Sequence, residues 1–510
     1  MMMTQAQAFL KAHDQLQALI AFVGRASSEH LRADEVERGL FDQLLELGHS
    51  LLTAFVAAAG NGDRGETVTA PDGSLARRLP EPHPRLYRSI FGKLTIRRFV
   101  YGSREGQRIT CVPLDAQLGL PAGEFSYVLE DWVQRFAVRG AFGEASQSLH
   151  ELLHVQPSVR SLEGMNRTMA EFAGRFLDER PTPPPEEEGE LVVMTADGKG
   201  VVMRRPATDE PRRPPGTAAK TRNGKKQMAC VGAFYTIDRF VRTPDQVIDE
   251  LQRKERAQDR PRPCHKHVWA EMTCVVDDET CNGRVTLFDH LAQEWDHRDP
   301  LAKKTAICLF DGERALWDAW QLFFEKTIGI LDIFHVLEYL WKAAHCFHEE
   351  ASAAAAAFTT DRLRLLLEGK VGSVIGGLRQ MQTKRALPAA KRKQLAKVIG
   401  YFANNRQHMR YDEYLAAGYP IGSGVAEGAC RHLVKDRLEQ TGMRWVLEGA
   451  QAMLNLRATY LNGDWDEFID YRIRTEQCRL YGETPADEPQ FALAGDRKST
   501  RLNSSHLFIS

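Results

Sequence analysis

Five apolar residues in a row, Ala306-Ile307-Cys308-Leu309-Phe310, run without a break into Asp311-Gly312. A short, wholly apolar run closed by a turn dipeptide predicts a strand. Its neighbours then hold Asp311 at a sheet edge. Leu191 to Met194 is a second apolar run, Asp197-Gly198 sits just past it, and Gly200 to Met203 is a third. That pattern predicts a hairpin with an Asp near its turn. Residues 228 to 238 predict another strand, and Gly329-Ile330-Leu331 a short one ending at Asp332. Helical patterns fill the intervals: one through Trp317, Trp320 and Phe323, one from Ile333 to His348, and an almost wholly helical stretch from about 350 to 415. The breakers Tyr419-Pro420-Ile421-Gly422-Ser423-Gly424 then open a helix expected from Val425 to about Leu438, and a last helix is expected from about Ala450 to Leu461. Alternating strands and helices of this kind place the chain in the α/β (α+β, multidomain) class.

The amino-terminal part reads differently. Phe9, Leu16, Leu19 and Ile20, then Leu40, Phe41, Leu44 and Leu45, recur at helical spacing, so residues 1–85 form a helical region. Residues 86–118 form a small β module, with strand-like runs at Ile90–Ile96, Phe99–Tyr101 and Ile109–Val112. Residues 119–180 are helical again. Within them, FGEASQSLHELLHVQPSVRSLEGMNRTMAEF has the outline of a helix-turn-helix, a DNA reader, or of plain helical packing. The turn glycine that the DNA motif favours is absent, with His154 near its place. Residues 181–190, Pro-rich then Glu-rich, predict a stiff, acidic, solvated linker and the main domain boundary.

A chain of 510 residues is too long for one core. Its 67 Lys and Arg against 68 Asp and Glu exclude a uniformly basic DNA-coating protein. Charge is nevertheless segregated: Lys199 to Lys266 carries 17 Lys and Arg against 8 Asp and Glu, including a basic loop at 206–226 with Lys225 and Lys226. No apolar run is long enough for a membrane span, the amino terminus lacks the form of a secretory leader, and a cytoplasmic protein is expected. Nine widely spaced cysteines predict mostly buried thiols in a reducing compartment. Cys264, His265, His267, Cys274 and Cys281 raise a structural zinc as an alternative, although Cys274 and Cys281 are spaced loosely for one.

Three acids stand out by context: Asp197, Asp311 and Glu427. Each has a plainer reading. Asp-Gly after a strand is an ordinary turn, and a Glu in a first helical turn favours the macrodipole, with Ser423 as cap. Their order, strand-Asp, strand-Asp, helix-Glu, says more. Strand-end carboxylates point into the crevice outside a sheet, and a packed helix can bring a Glu to the same crevice. Three convergent oxygens suit magnesium or manganese. Two such ions, about 4 Å apart, activate a water or a 3′-hydroxyl and stabilise the leaving oxygen of a phosphodiester. Glu427, Arg431 and Lys435 stand at i, i+4 and i+8, one helical face, so the cations would grip phosphates beside the scissile one, or merely pair along the helix. Arg437 and Arg444 widen the positive field, and Trp445 either stacks on a base or fills the core.

The segments TADGKGVVMRR, VGAFYTIDRFVRTPDQVIDEL, CLFDGERALWDAW, DIFHVLEYLWKAAHCFH and YPIGSGVAEGACRHLVKDRLEQTGMRW resemble the transposases of ISKra-four-type bacterial insertion sequences over roughly residues 85 to 470. The resemblance implies an RNase H-like mixed sheet flanked by helices, with a helical insertion ahead of the final Glu. It implies Asp197, Asp311 and Glu427 as a metal-binding DDE triad, and a supporting role for Asp332 and His335. Gaps of 114 and 116 residues between the three acids suit such an interrupted core. The implied partners are double-stranded DNA and further copies of the chain in a synaptic complex, bound to the nucleoid while engaged. Core segments are then expected at 191–349 and 416–470, the insertion at 350–415 and a tail at 471–510. Residues Asp496–Ser510 resemble translated vector sequence and are expected to lie outside the fold.

Overall fold

The computed structural model describes residues 5–70, 73–102, 109–204, 226–252, 260–276, 279–440 and 442–482. Its centre is one mixed sheet of five strands: β1 (Leu191–Val202), β2 (Lys226–Ile237), β3 (Cys264–Met272), β4 (Thr305–Phe310) and β5 (Ile328–Leu331). The spatial order is β5-β4-β1-β2-β3. β1, β2 and β3 form an antiparallel meander, while β4 runs parallel to β1 and β5 parallel to β4. This order and polarity are those of the RNase H-like fold. Parallel neighbours need a crossover connection, and the helix Arg314–Phe323 supplies it between β4 and β5.

The apolar run of β4 follows from burial on both sheet faces. Ile307 and Leu309 face a core shared with Leu363, Leu366, Leu395 and Phe402 of the helices that follow. Ala306, Cys308 and Phe310 face Phe288, Leu291 and Leu316 on the other side. Each fully buried side chain of this size contributes roughly 1.5–3 kcal/mol. The expected helical stretch contains Ala353–Leu367, Val371–Lys384, Ala389–Asn404 and Tyr411–Ala416. It is packed directly on the sheet.

Several expectations are corrected. The hairpin foreseen around Asp197-Gly198 is one continuous strand of 12 residues. Its glycines are places where β2 side chains cross: a Cβ at Gly198 would stand 3.1 Å from Met228 Cε, and one at Gly200 3.0 Å from Lys226 Cδ. The linker is not simply solvated either. Glu188 is buried against Arg298, which donates to both of its carboxylate oxygens at 2.6 Å. Ile90-Phe91 is a turn, not a strand, because Ser89 Oγ accepts from the Phe91 amide at 3.1 Å and donates to the Gly92 carbonyl at 3.2 Å. Its strands are His83–Ser89 and Gly92–Arg98, so the β module spans the expected boundary at residue 85 and begins as early as Thr67–Thr69. A helix unforeseen in the sequence, Trp465–Tyr481, buries Trp465 and Phe468, and the tail beyond residue 482 lies outside the described residues.

In the candidate helix-turn-helix, Phe142–Leu153 ends at His154, which takes the left-handed conformation (φ 56°) that a turn glycine would. The second helix, Val159–Glu179, buries Met169, Phe172, Ala173 and Phe176 in the core that covers Val201, Val231 and Ala270. Over most of its length it is therefore plain helical packing.

Candidate active site

Parallel register between β4 and β1 pairs Phe310 with Ala196. The next residue after each is an aspartate, so Asp311, just past the end of β4, stands beside Asp197, which remains within β1 and pairs with Val231 of β2. Burial raises the Asp311 carboxyl above its usual range. The Glu313 amide, donating to Oδ1 at 2.8 Å, and His335 oppose the rise, while Asp197 and Glu313 add to it. Asp197 Oδ1 accepts from the Gly198 amide at 2.6 Å, and Oδ2 from the Cys430 thiol at 3.4 Å. Burial, then Asp197, push that thiol well up.

One strand further, the Asp332 amide donates to the Phe310 carbonyl at 2.9 Å, extending the ladder past β5. Asp332 is fully buried and caps the helix Ile333–Ala344: Oδ1 accepts from the Phe334 amide at 2.9 Å. Its other oxygen, Oδ2, accepts from the Ser423 hydroxyl. Ser423 precedes the helix Gly424–Ala429, whose first turn carries Glu427. Asp332, His335 and Glu427 each offer one ligand atom, and the three atoms lie within 4.8 Å of one another. Among the described residues this group is able to hold a metal ion. Burial raises Asp332 despite Ser423, the Phe334 amide and His335. Partial burial raises Glu427 too, Asp332 and Asp197 add to it, and His335 opposes. Acids so crowded, with His335 as the shared opposing charge, form a donor set that fits a divalent cation. Carboxylate oxygens suit magnesium, and the imidazole is better tolerated by manganese.

The alternative of a structural zinc finds no support among the described residues, because the two histidines have other partners. His267 Nδ1 is bonded to Glu294 at 2.6 Å, and His265 pairs with Glu187 at 3.2 Å. All nine cysteines are free, but only Cys308, Cys346 and Cys430 are buried, fewer than expected.

The expected DNA contacts divide. Arg431, Lys435 and Arg444 are exposed. Lys226 is exposed and pairs with Glu439 at 3.0 Å, and Lys225 lies outside the described residues. Arg437 is a correction: it has no exposed surface and sits between Phe142 and Trp445, its Cζ 5.1 Å from each ring centre, with Nε donating to the Ala137 carbonyl at 2.7 Å. Trp445 is a core residue, its Nε1 donating to the Leu438 carbonyl at 3.1 Å, so base stacking is excluded in this conformation. The helix expected from Val425 to Leu438 is not uniform. Gly424–Ala429 passes into a π-helical turn, Cys430–Lys435, before Asp436–Leu438. Single π turns often stand at functional sites. The link from Asp332 to Ser423, across 91 residues, had no signal in the sequence.

No helix among the described residues is long and apolar enough to cross a membrane. No family model matches the chain, and no curated protein does. Among solved structures, the chain is similar to a Drosophila P element transposase strand transfer complex, at 9% identity and a TM-score of 0.22, over 69% of this chain and 81% of that one.

Proposed function

We propose that this chain is a DDE transposase of an ISKra-four-type bacterial insertion sequence, which cuts DNA at element ends and joins the freed end to target DNA. One observation carries the reading: in an RNase H-ordered sheet, Asp311 just past β4 and Asp197 within β1 follow a paired register position, and Glu427 from a later helix stands close enough to feel the charge of Asp197. The motif resemblance supports the family. In this reading Asp197, Asp311 and Glu427 hold two magnesium or manganese ions, with His335 beside Glu427 and Asp332 as the residue that positions both. When bound, the ions supply charge stabilisation to the attacking and leaving oxygens of a phosphodiester.

The chain's own groups do the rest. Asp332 fixes the start of the helix bearing His335 and, through Ser423, that of the helix bearing Glu427. Arg431, Lys435, Arg444, Lys226 and Lys225 hold the DNA backbone on either side. Joining two element ends requires both in one complex, so the working form is a homo-oligomer in the cytoplasm, on the nucleoid when DNA-bound.

The test is incubation of the full chain with magnesium and a duplex carrying the flanks of its own gene. Nicks at the element ends and strand-transfer products are expected, and Asp311→Asn or Glu427→Gln should abolish both while leaving DNA binding. Cleavage at the wild-type rate by either variant removes the triad. Two further outcomes separate the nearest alternatives: nicking without transfer products marks a nuclease, and binding without nicking marks an inactive DNA-binding derivative.

A further inference from the structure

Between Glu368 and Asp412 the chain has ten Lys and Arg and no acidic residue. Seven of the ten, from Arg379 to Lys397, are exposed. The segment's ion pairs, Lys370 with Glu368 and Arg410 with Glu413, stand at its two ends and leave the middle uncompensated among the described residues. This middle is the bend between two helices, Val371–Lys384 and Ala389–Asn404.

The placement of the charges is unfavourable for the protein by itself. Lys391, Arg392 and Lys393 follow Ala389-Ala390 in the first turns of a helix whose cap, Pro388, gives no side-chain hydrogen bond. Free amides and the macrodipole make that end positive. An anion there is stabilised, and a cation loses about 0.3–1 kcal/mol. Three cations on a positive helix end, with Lys384 and Arg385 at the close of the preceding helix, create a field that attracts an anion. Arg385 is also held in place over the Phe347 ring, 5.2 Å from its centre.

The other end of the same helix reaches the candidate active site. Tyr401 stacks on Tyr339 with ring centres 3.6 Å apart, and its ring occupies the space that a side chain at Gly312 would need. Gly312 adjoins Asp311. Eight to ten residues separate Tyr401 from Lys393 and Lys391. At about 1.5 Å per residue that is roughly 12–15 Å, or about four base pairs of duplex at roughly 3.4 Å each.

From this we infer that the basic bend of the hairpin is a binding site for the phosphodiester backbone of duplex DNA, gripping it about four base pairs from the phosphate at Asp311. The inference rests on the proposed action of the carboxylates on DNA. An anionic membrane surface would meet the same charges, but the helix leads from them to a phosphodiester-cutting site, and that favours DNA.

The experiment measures binding of the full chain to a random-sequence duplex by fluorescence anisotropy, without divalent metal, from about 50 to about 200 mM salt. Lys391→Gln with Arg392→Gln and Lys393→Gln should weaken binding at least tenfold and flatten the salt slope by about 2.7, roughly 0.9 per lost phosphate contact. The charge-conserving set Lys391→Arg, Arg392→Lys, Lys393→Arg should bind as wild type does. The glutamine variant should also melt at or above the wild-type Tm, because cations have left a positive helix end. Lys393→Gln alone should remove about 0.9 from the slope, a reading that needs no multiple substitution. An unchanged slope in the glutamine variant overturns the assignment, as does wild-type binding to phosphatidylserine vesicles in preference to the duplex. Since no metal is present, loss of cleavage in Asp311→Asn bears on the carboxylates alone, and the two readings fail separately.

Discussion

Ser423 donates its hydroxyl to Asp332 Oδ2, joining the cap of the helix after β5 to the start of the helix that carries Glu427. Asp332 thereby sets two of the candidate metal ligands at once: His335 stands one turn into the first helix, Glu427 one turn into the second. Ser423→Ala removes a donor from a fully buried carboxylate, a loss worth about 1.5–3 kcal/mol when the partner is charged. The expected outcome is a stability loss of that size by urea denaturation, together with weaker manganese binding. Ser423→Thr, which keeps the hydroxyl, should restore the metal affinity more fully than the stability. Manganese affinity equal to wild type in Ser423→Ala would show that Asp332 does not position Glu427.

The crowded acids make the metal-free protein less stable than it could be. Burial holds the carboxyls of Asp311, Asp332 and Glu427 above their ordinary range. For a raised carboxyl, the folded state binds more protons than the unfolded state. Its stabilising contribution is complete below the unfolded pKa and is lost as pH rises through the folded one. Metal-free protein should therefore lose part of its Tm as pH rises through the raised carboxyl range, and saturating manganese should restore it. Asp311→Asn should melt higher than wild type without metal and gain less on adding it. A variant that melts lower without metal and responds fully to manganese would contradict this account.

The same shifts place the acid limb of metal binding. Chelation needs deprotonated carboxylates. Manganese affinity should begin to fall on acidification at a pH above the ordinary values of 3.8 for Asp and 4.5 for Glu. Isothermal titration across that range measures it, and retention of full affinity down to the ordinary values would mean that other groups hold the ion.

How far the sequence could be read depended on the range of each interaction. The apolar run into Asp311 was legible because burial on both faces is recorded in consecutive residues. Asp197 was half legible: the acid was singled out, but glycines at 198 and 200 read as a turn, since nothing local shows that Met228 and Lys226 cross over them. Glu188 read as solvated because its partner, Arg298, lies 110 residues away. Arg437 read as a surface cation because charge in a sequence carries no sign of burial, and Phe142 is remote along the chain. The pairing of Asp332 with Ser423 is likewise a tertiary fact.

Arg437 supplies a direct contrast with its exposed neighbours. Burial, with Arg457 nearby, brings its guanidinium down to about 10, so it is still charged at neutral pH. Its cost is met by the Ala137 carbonyl and by two aromatic faces. Arg437→Ala leaves a cavity and two ring faces without their cation, and should cost several kcal/mol, on the order of other large core truncations. Arg431→Ala and Lys435→Ala, exposed on the same segment, should leave stability within about 0.5 kcal/mol of wild type and lower DNA affinity instead. Melting curves and anisotropy on all three variants separate the roles; a selective loss of DNA affinity at unchanged Tm in Arg437→Ala would return that residue to the DNA surface.

Just before the start of β1, Glu188 forms an ion pair with Arg298 in which both side chains are 1% exposed. Burial by itself would raise the Glu188 carboxyl, but the hydrogen bonds from Arg298 and Thr236 outweigh it and the pKa is lowered from its ordinary 4.5. The sign is opposite to that at the active site. A lowered carboxylate stabilises the fold fully above its unfolded pKa, and the contribution is lost as pH falls through the folded one. Below about pH 4.5 the pair should therefore begin to give way. Removing one partner strands the other charge, so Arg298→Met should cost about 3–5 kcal/mol. Glu188→Leu combined with Arg298→Met should recover much of that loss, because no buried charge remains. Denaturation of the three proteins at neutral and acid pH decides the matter: if the double variant is as unstable as Arg298→Met, the loss comes from Arg298 packing over the Phe234 ring, 4.7 Å from its centre, and not from the stranded carboxylate.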